Sequence, residues 1–250
     1  MEKNRQEIPD WMTRTELLLG KEALEKLMKS HVLVVGLGGV GGMVAEMLVR
    51  SGIGTMTILD ADVVEASNKN RQIIALNQAM GEPKSDVLAQ RLLQINPELR
   101  LQVEKRYLEA ATLPELPWAQ FSYVADCIDT LQPKIALMSY CWENKIPIVS
   151  AMGAGGRTDP SQIKISDISK TFNCYLAYYV RKKLHRLGIY QGIKVVFSSE
   201  RPDKKKVRLV DGKNKRSVIG TISYMPNLFG GYLAAAIIQD IVNRKEKRKK

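Results

Sequence analysis

Two cations and several aspartates follow a glycine-rich segment in the first half of the chain. Activation chemistry at the α-phosphate of a nucleoside triphosphate requires cations that neutralise developing negative charge and a carboxylate that holds a metal ion. Arg71, Lys84 and Asp129 can supply these groups and are the candidate catalytic residues. Asp60 stands where an acid commonly binds the ribose of a nucleotide, about twenty residues after the glycines. The sequence therefore predicts nucleotide chemistry.

The glycine-rich segment has the spacing of a phosphate-binding turn. Gly36, Gly38 and Gly41 occupy the three glycine positions of GxGxxG, and Gly39 lies between them. The apolar, β-branched run at 32–35 indicates a buried parallel strand that leads into the turn. A helix from about residue 42 to 50 then directs its N-terminal amides at the phosphate. These four glycines are candidate nucleotide contacts.

The order of elements predicts an α/β fold. A second strand at 55–59 delivers Asp60, and an apolar strand at 123–128 delivers Asp129. Both aspartates then lie at the carboxyl edge of a mostly parallel, Rossmann-like sheet with helices on both faces, where such sheets bind ligands. The same geometry serves NAD and ATP, but hydride transfer needs an apolar nicotinamide pocket rather than cations. The residues beyond Asp60 therefore favour ATP, and an NAD-binding, RNA-associated protein is the alternative from a different class.

On these residues the chain resembles the ThiF, MoeB and ubiquitin-activating-enzyme-like adenylyltransferases. The resemblance covers roughly residues 11–242 and implies an adenylyltransferase (ThiF-type) fold. The motifs that carry it are Arg14, VLVVGLGGVGG at 32–42, LDADV at 59–63, SNKNRQ at 67–72, GEPK at 81–84 and DCID at 126–129.

Within that superfamily the chain is most similar to the tRNA threonylcarbamoyladenosine dehydratases. This narrower resemblance rests on RTELLLG at 14–20, NRQI at 70–73, QINP at 94–97, KIPIV at 145–149, GAGGRTDP at 153–160, DISKT at 167–171 and VFSSE at 196–200. It implies that ATP adenylates the threonyl carboxylate of modified adenosine in tRNA and pyrophosphate leaves. The substrate's own carbamoyl oxygen then closes an oxazolone ring and releases AMP.

The resemblance also implies roles for single residues. Asp60 corresponds to the acid that binds the ATP ribose, and Asp129 to the carboxylate that binds Mg²⁺. Asp62 either assists Asp129 or caps the turn before Val63. Arg14 resembles an arginine that crosses a homodimer interface to reach ATP in the partner subunit. The residues expected at the triphosphate are Asn70, Arg71 and Lys84.

The three cysteines do not indicate a metal site or a disulfide framework. Cys127, Cys141 and Cys174 have neither CxxC spacing nor a paired neighbour, which suggests a reducing compartment. Attack within one substrate molecule needs no enzyme nucleophile, so the implied chemistry does not require a catalytic cysteine. We expect Cys127 and Cys141 to serve packing, whereas the role of Cys174 stays open. Related sulfur-carrier enzymes often carry two CxxC pairs, and their absence favours the dehydratase branch.

Positive charge is concentrated in the second part of the chain. The net charge is +12, and residues 155–250 hold 22 Lys and Arg against 7 Asp and Glu. Such asymmetry suits a phosphate backbone, so tRNA is the expected partner. Nearby tyrosines at 175, 178 and 179 could stack on bases. The candidate tRNA-binding residues are Arg181, Lys182, Lys183 and Arg186. His185, Lys204 to Lys206, Lys213, Lys215 and Arg216 extend this basic series.

The whole chain, 1–250, is expected to form one domain in the cytoplasm. Its parts are a nucleotide-binding core at 11–154, a basic part facing tRNA at 155–242 and a basic tail at 243–250. The segment 218–239 has no charged residue and precedes the tail, so single-pass or peripheral membrane association through 218–250 is an alternative. Pro226, Gly230 and Gly231 interrupt it, and the resemblance places a strand, a turn and a buried helix there.

One residue departs from the pattern of the dehydratase branch. The branch usually has a proline before the Leu-Ala pair at 176–177, where this chain has Tyr175. This departure concerns the local loop shape and the hold on the substrate adenosine.

The alternative function within the superfamily is activation of the C-terminus of a ubiquitin-like sulfur carrier. Sulfur-transfer proteins are possible additional partners.

Overall fold

A seven-stranded sheet forms the centre of the protein in the computed structural model, which describes residues 8–203, 207–209 and 217–244. Its strand order is β3-β2-β1-β4-β5-β7-β6, and only the β6–β7 pair is antiparallel. The α/β expectation with a mostly parallel sheet is therefore confirmed. The strands are β1 (His31–Val35), β2 (Thr55–Leu59), β3 (Arg100–Glu104), β4 (Tyr123–Asp126), β5 (Ile148–Ala151), β6 (Ile163–Asp167) and β7 (Lys194–Ser198).

Helices cover both faces of the sheet. On one face α3, α4 and α7 pack over Val32 and Val34 of β1, and on the other face α5 and α6 pack over Leu33 and Val35. All four β1 side chains are at most 1% exposed, as expected of a central parallel strand. The helices are α1 (Thr13–Leu19), α2 (Lys21–Lys29), α3 (Gly41–Arg50), α4 (Lys84–Ile95), α5 (Leu131–Glu143), α6 (Tyr175–Arg186) and α7 (Tyr224–Asn243).

The segment considered as a membrane span is a short strand followed by a packed helix. Strand β9 (Ser217–Ile219) pairs with β8 (Val207–Leu209), and α7 follows. Pro226 lies in the first turn of α7, where proline is tolerated. At Gly230 a Cβ would lie 2.7 Å from Met43 Cβ, so its absence lets α7 approach α3 closely. Within the described residues, no helix is long and apolar enough to cross a membrane.

The carboxyl ends of β1, β2, β4 and β5 meet at one edge of the sheet. This edge carries the glycine-rich turn after β1, Asp60 after β2 and Asp129 after β4. The second part of the chain reaches the same edge, because β7 runs parallel to β5 and the residues before α7 contact Asn70. The fold thus gathers segments separated by up to about two hundred residues of sequence into one region.

Candidate nucleotide and adenylation site

Backbone geometry explains two of the glycines in the turn after β1. Gly36 has a φ of +86°, and a Cβ there would lie 2.9 Å from the carbonyl oxygen of Cys127. A Cβ on Gly41 would lie 1.8 Å from the carbonyl oxygen of Gly36. Only glycine avoids both conflicts, and the tight turn places the N-terminus of α3 at the sheet edge. The predicted phosphate-binding geometry is present.

Asp60 fastens this turn to the end of β2. Its Oδ2 accepts a hydrogen bond from the backbone N–H of Leu37 at 2.5 Å, and its Oδ1 accepts one from Asp62 at 2.7 Å. A carboxylate oxygen accepts more than one hydrogen bond, so this arrangement remains compatible with ribose hydroxyls as additional donors. Asp60 therefore lies where the sequence placed it, beside the glycine-rich turn.

Asp62 binds Lys84, which neither of its two expected roles included. Lys84, only 6% exposed at the start of α4, donates from Nζ to Oδ2 of Asp62 at 2.7 Å. The hydroxyl of Tyr107 donates to Oδ1 at 3.0 Å. This hydrogen bond to the Asp62 carboxylate raises the pKa of Tyr107, because ionised tyrosine would place a second negative charge beside it. The one sequence signal for Tyr107 is its position after β3, at the ligand-binding edge.

Arg71 and Asn70 lie between the glycine-rich turn and the start of α7. The Arg71 guanidinium donates to Asn70 Oδ1 at 2.8 Å and to the backbone carbonyl of Ser67 at 2.9 Å. Asn70 Nδ2 donates to the carbonyl of Thr221 at 3.0 Å. A Cβ on Gly39 would lie 3.3 Å from Arg71 Cγ, so this cation adjoins the turn. Both residues therefore lie beside the glycine-rich turn.

Two buried acceptors beside these residues have no hydrogen-bond partner among the residues that the structure describes. They are Oε1 of Gln72 and Oδ1 of Asn227. Gln72 borders Gly38, since its Nε2 would lie 3.8 Å from a Cβ there, and Asn227 Nδ2 donates to the carbonyl of Arg71 at 3.3 Å. Buried acceptors ordinarily have donors, and a nucleotide with its bound waters would supply them. No sequence motif marks Asn227, because its contact with Arg71 joins residues 156 positions apart.

Asp129 follows the end of β4 and is exposed at the site edge. Among the described residues, no group of three His, Cys, Asp or Glu could hold a metal ion. Mg²⁺ needs no such group when it is held by one or two carboxylates, waters and the phosphates of a nucleotide. Asp129 together with a triphosphate on the glycine-rich turn fits this mode of binding.

Arg14 lies away from the nucleotide residues of its own chain. It is exposed on α1 and borders a groove of about 470 Å³ with Ser51 and with Ala235, Ile238 and Gln239 of α7. Ser51 caps the C-terminus of α3, whereas the glycine-rich turn lies at its N-terminus. The ten residues of α3 separate these ends by about 15 Å. Arg14 is therefore remote from the glycine-rich turn of its own chain.

Helix α6 presents a mixed aromatic and basic face. Lys182 and Arg186 are exposed beside Tyr175, Tyr178 and Tyr179, which are 50–52% exposed. Spacings of three, four, seven and eleven residues place these five side chains on one side of the helix. We call this set the α6 face. Lys183 is half-buried at its margin.

The other predicted tRNA contacts divide into two groups. The Arg181 guanidinium points inward and donates to the carbonyl of Thr171 at 2.8 Å and to the Thr171 hydroxyl. The cation is thus hydrogen-bonded within the fold, and contact of Arg181 with tRNA stays a prediction. Lys204 to Lys206, Lys213, Lys215, Arg216 and the tail from 245 lie outside the described residues.

The departure at Tyr175 leaves the helix intact. Tyr175 is the first residue of α6, a position where proline is favoured because the missing N–H has no helical partner. Tyrosine fulfils the same backbone role there and adds an exposed ring to the α6 face. The difference therefore concerns the surface chemistry and not the course of the chain.

The cysteines occupy apolar surroundings. Burial raises the pKa of Cys127 strongly and that of Cys141 to about 12, which keeps both thiols protonated at neutral pH. Cys174 is 5% exposed at the start of α6, with its Sγ 3.6 Å from the position of a Cβ on Gly153. These surroundings agree with the packing role expected for Cys127 and Cys141. Cys174 is also packed in the apolar core.

The fold and the edge residues define a nucleotide-binding protein of the ThiF type. The ThiF family model matches residues 13–250, and the chain belongs to the ThiF family. The tRNA threonylcarbamoyladenosine dehydratase of Bacillus subtilis is 37% identical over 249 residues, which are 95% of this chain and 98% of that protein. The sulfur carrier protein ThiS adenylyltransferase of Escherichia coli is 35% identical over 147 residues, 57% of this chain and 58% of that protein.

A solved structure extends the similarity to three dimensions. The crystal structure of the Escherichia coli tRNA N6-threonylcarbamoyladenosine dehydratase TcdA in complex with ATP has a TM-score of 0.88 and 34% sequence identity. The match covers 97% of this chain and 100% of that chain. The resemblance found in the sequence is confirmed, and the likeness extends far beyond the glycine-rich turn.

Proposed function

We propose that this protein catalyses the ATP-dependent dehydration of N6-threonylcarbamoyladenosine in tRNA to its cyclic oxazolone form. The observation that supports this most directly is the likeness to the ATP-bound dehydratase along 97% of the chain. The local geometry agrees, because the glycine-rich turn, Asp60, Arg71, Lys84 and Asp129 lie along one edge of the sheet. ATP is the expected cosubstrate, and the products are AMP and pyrophosphate.

The reaction proceeds by two displacements. In the first, an oxygen of the substrate carboxylate attacks the α-phosphorus of ATP, and pyrophosphate leaves with the electrons of the broken P–O bond. In the second, the carbamoyl oxygen attacks the activated carbonyl carbon, a carbamoyl N–H releases its proton to solvent, and AMP leaves with the electrons of the broken acyl C–O bond. One carboxylate oxygen departs in AMP, so the nucleoside loses one water overall. Both reacting groups belong to one substrate molecule, which gives a high effective molarity without an enzyme nucleophile.

The chain's own residues orient and neutralise the triphosphate. Asp60 binds the ribose, and the glycine-rich turn supplies backbone donors to the phosphates. Arg71 and Lys84 offset the negative charge that develops on the leaving pyrophosphate. Asp129 holds Mg²⁺, which when bound adds positive charge to the phosphate oxygens. Asn70 holds the Arg71 guanidinium in place through its Oδ1.

The α6 face is the proposed contact surface for tRNA. Lys182 and Arg186 supply charge for phosphates, and the exposed rings of Tyr175, Tyr178 and Tyr179 supply flat surfaces for unpaired bases. The N-terminus of α6 adjoins Gly153, in the segment after β5 at the carboxyl edge. The face therefore begins at the same sheet edge as the adenylation residues, a position from which it can hold the substrate near ATP.

A homodimer completes the proposed site. Leu17 and Leu18 are each 82% exposed and follow Arg14 on α1, a degree of apolar exposure that favours burial against another surface. A second copy placed there would bring Arg14 toward the partner's ATP. We further propose a cytoplasmic protein whose chain forms a single domain.

Activation of a ubiquitin-like sulfur carrier remains the second candidate function. The partial similarity to the ThiS adenylyltransferase favours it, because both reactions adenylate a carboxylate. The α6 face distinguishes the two candidates, since a sulfur carrier has no phosphate backbone for its cations. Sulfur-transfer proteins are retained only as possible partners in this alternative.

AMP release with defined substrates tests the proposal. The protein with Mg²⁺ and ATP is incubated with tRNA that carries threonylcarbamoyladenosine, with the same tRNA lacking the modification, or with a carrier protein ending in Gly-Gly. We expect AMP only with the modified tRNA. Equal AMP release from both tRNAs would contradict the proposal. Exchange of labelled pyrophosphate into ATP only in the presence of the carrier protein, whose acyl-adenylate retains AMP, would establish the alternative.

A further inference from the structure

A fully buried ion pair lies directly behind the loop that carries Asp129. Lys134 Nζ is 2.6 Å from Asp126 Oδ2, and both side chains are 0% exposed. The hydroxyl of Ser150 donates to the same carboxylate oxygen at 2.5 Å and accepts from Lys134 Nζ at 3.0 Å. Asp126 and Ser150 face each other on β4 and β5, and Lys134 lies near the start of α5. The three side chains thereby join two strands and a helix.

The second oxygen of Asp126 shapes the path to Asp129. Its Oδ1 accepts a hydrogen bond from the backbone N–H of Ile128 at 3.0 Å. On the opposite side, the backbone N–H of Cys127 donates to the carbonyl of Val35 at 2.8 Å. The Cys127 carbonyl also packs against Gly36. Residues 127–129 are therefore held between the glycine-rich turn and the buried ion pair.

Stability alone does not account for a buried charge pair at this place. Removing two charges from water costs free energy, and well-packed apolar side chains of similar volume often serve a core equally well or better. The pair does provide direction, because a carboxylate with both oxygens occupied cannot rotate without breaking hydrogen bonds. Its two ends connect the first turn of α5 to the turn that precedes Asp129. The pair therefore holds the segment before Asp129 rigid, and Asp129 is the carboxylate proposed to bind the metal ion.

We propose that Lys134, acting through Asp126, is a positioning residue that sets the place of Asp129 relative to the triphosphate. This inference rests on the proposed function. It predicts that removing the pair leaves the contacts of ATP with the glycine-rich turn intact. The contribution of Mg²⁺ to ATP binding and the chemical step are lost instead.

The test replaces the pair by uncharged side chains in the full-length protein. The variant is D126A/K134M, and the matched control is D240A/K194M. The control makes the same two substitutions in the Lys194–Asp240 pair, whose atoms are 2.6 Å apart and which lies at the opposite end of β7 from the site. Calorimetry measures the dissociation constant of ATP with and without Mg²⁺, and AMP formation is followed at saturating ATP and modified tRNA.

We expect D126A/K134M to bind ATP without Mg²⁺ within about threefold of wild type and to lose the gain in affinity that Mg²⁺ gives. AMP formation should fall about 100-fold, the scale of a catalytic group misplaced by about 1 Å. The control should retain both properties. Normal Mg²⁺ dependence and normal turnover in D126A/K134M would overturn the inference.

A milder variant decides the question if D126A/K134M does not fold. S150A removes one hydrogen bond to the buried carboxylate and keeps both charges, and it should lower turnover about three- to tenfold with unchanged Mg²⁺-free ATP binding. Wild-type turnover in S150A would overturn the inference in that case. If the wild-type protein forms no AMP with modified tRNA, both the proposed function and this inference are contradicted. If the wild type is active and S150A is equally active, only the inference is contradicted.

Discussion

The ammonium of Lys84 lies 2.7 Å from a carboxylate oxygen of Asp62, while its side chain is only 8% exposed. A buried cation requires a partner, and Asp62 supplies it before a nucleotide is bound. ATP would bring a second source of negative charge to the same ammonium. In the proposed complex with ATP, Asp62 and the phosphates would both stabilise Lys84.

Asp62→Asn tests this relationship. Loss of the Asp62 charge leaves the buried Lys84 ammonium without its anionic partner, so the free energy of unfolding should fall by about 1–2 kcal/mol. The expected loss is small for a buried cation because Asp62 is half exposed. That corresponds to a melting temperature lower by about 2–8 °C. ATP should stabilise the variant more than it stabilises wild type, because the phosphates replace the lost charge. Thermal denaturation with and without ATP measures both effects, and an equal or smaller ATP shift in the variant would count against the account.

Mixing two inactive variants tests whether Arg14 acts across the dimer. Arg14→Ala and Asp129→Ala should each abolish AMP formation. In a mixed dimer, the subunit with an intact Asp129 receives Arg14 from its partner, so one of the two sites is complete. Random mixing should restore about a quarter of wild-type activity, since about half of the dimers are mixed. No recovery after verified subunit exchange would mean that Arg14 does not serve the partner's site.

Tyr175→Pro separates the backbone role of this position from its side chain. Cys174, at φ −131° and ψ 113°, is already extended as a residue before proline must be. The variant should fold with equal or slightly higher stability, because proline suits the first position of a helix. Loss of the ring should weaken tRNA binding about fivefold or more, the equivalent of about 1 kcal/mol of stacking. Tyr175→Phe keeps the ring and is the control. Unchanged binding by the proline variant would remove Tyr175 from the RNA surface.

Charge reversal on the α6 face tests its contact with phosphates. K182E/R186E should raise the KM for tRNA at least about tenfold and reduce the slope of log affinity against log salt by about 1.5–2. The control K21E/K29E makes an equal charge change on α2, which packs with α7 on the other face of the sheet. It should have a much smaller effect. Equal changes in both variants would indicate a general charge effect and place the tRNA contact elsewhere.

The local elements were predictable because short-range patterns determine them. The continuous apolar run at 32–35, the glycine spacing and the position of Asp60 follow from one strand, one turn and one helix. For the segment at 218–239, Pro226, Gly230 and Gly231 argued against a membrane span, and the family resemblance predicted the packed helix that the structure contains. The family resemblance added the remaining nucleotide residues, and the comparisons confirm that resemblance.

Contacts between distant segments were not predictable in the same way. The folded sheet brings three such pairs of segments together. Asn227 hydrogen-bonds with Arg71, Tyr107 with Asp62, and Lys134 with Asp126 and Ser150. In the sequence each is an ordinary polar residue without a motif around it. For Arg181, the surrounding basic run predicted a surface contact with tRNA. The structure adds a hydrogen bond from its guanidinium to the carbonyl of Thr171, which the sequence did not indicate. Burial and tertiary partners decide such cases.

Mass spectrometry of the nucleosides is the most direct test of the central claim. Transfer RNA containing threonylcarbamoyladenosine is incubated with the protein, Mg²⁺ and ATP, then digested under conditions that preserve the oxazolone ring. We predict a nucleoside lighter by one water, formed in proportion to released AMP and absent with Asp129→Ala. An unchanged nucleoside mass, despite ATP binding by the protein, would contradict the account.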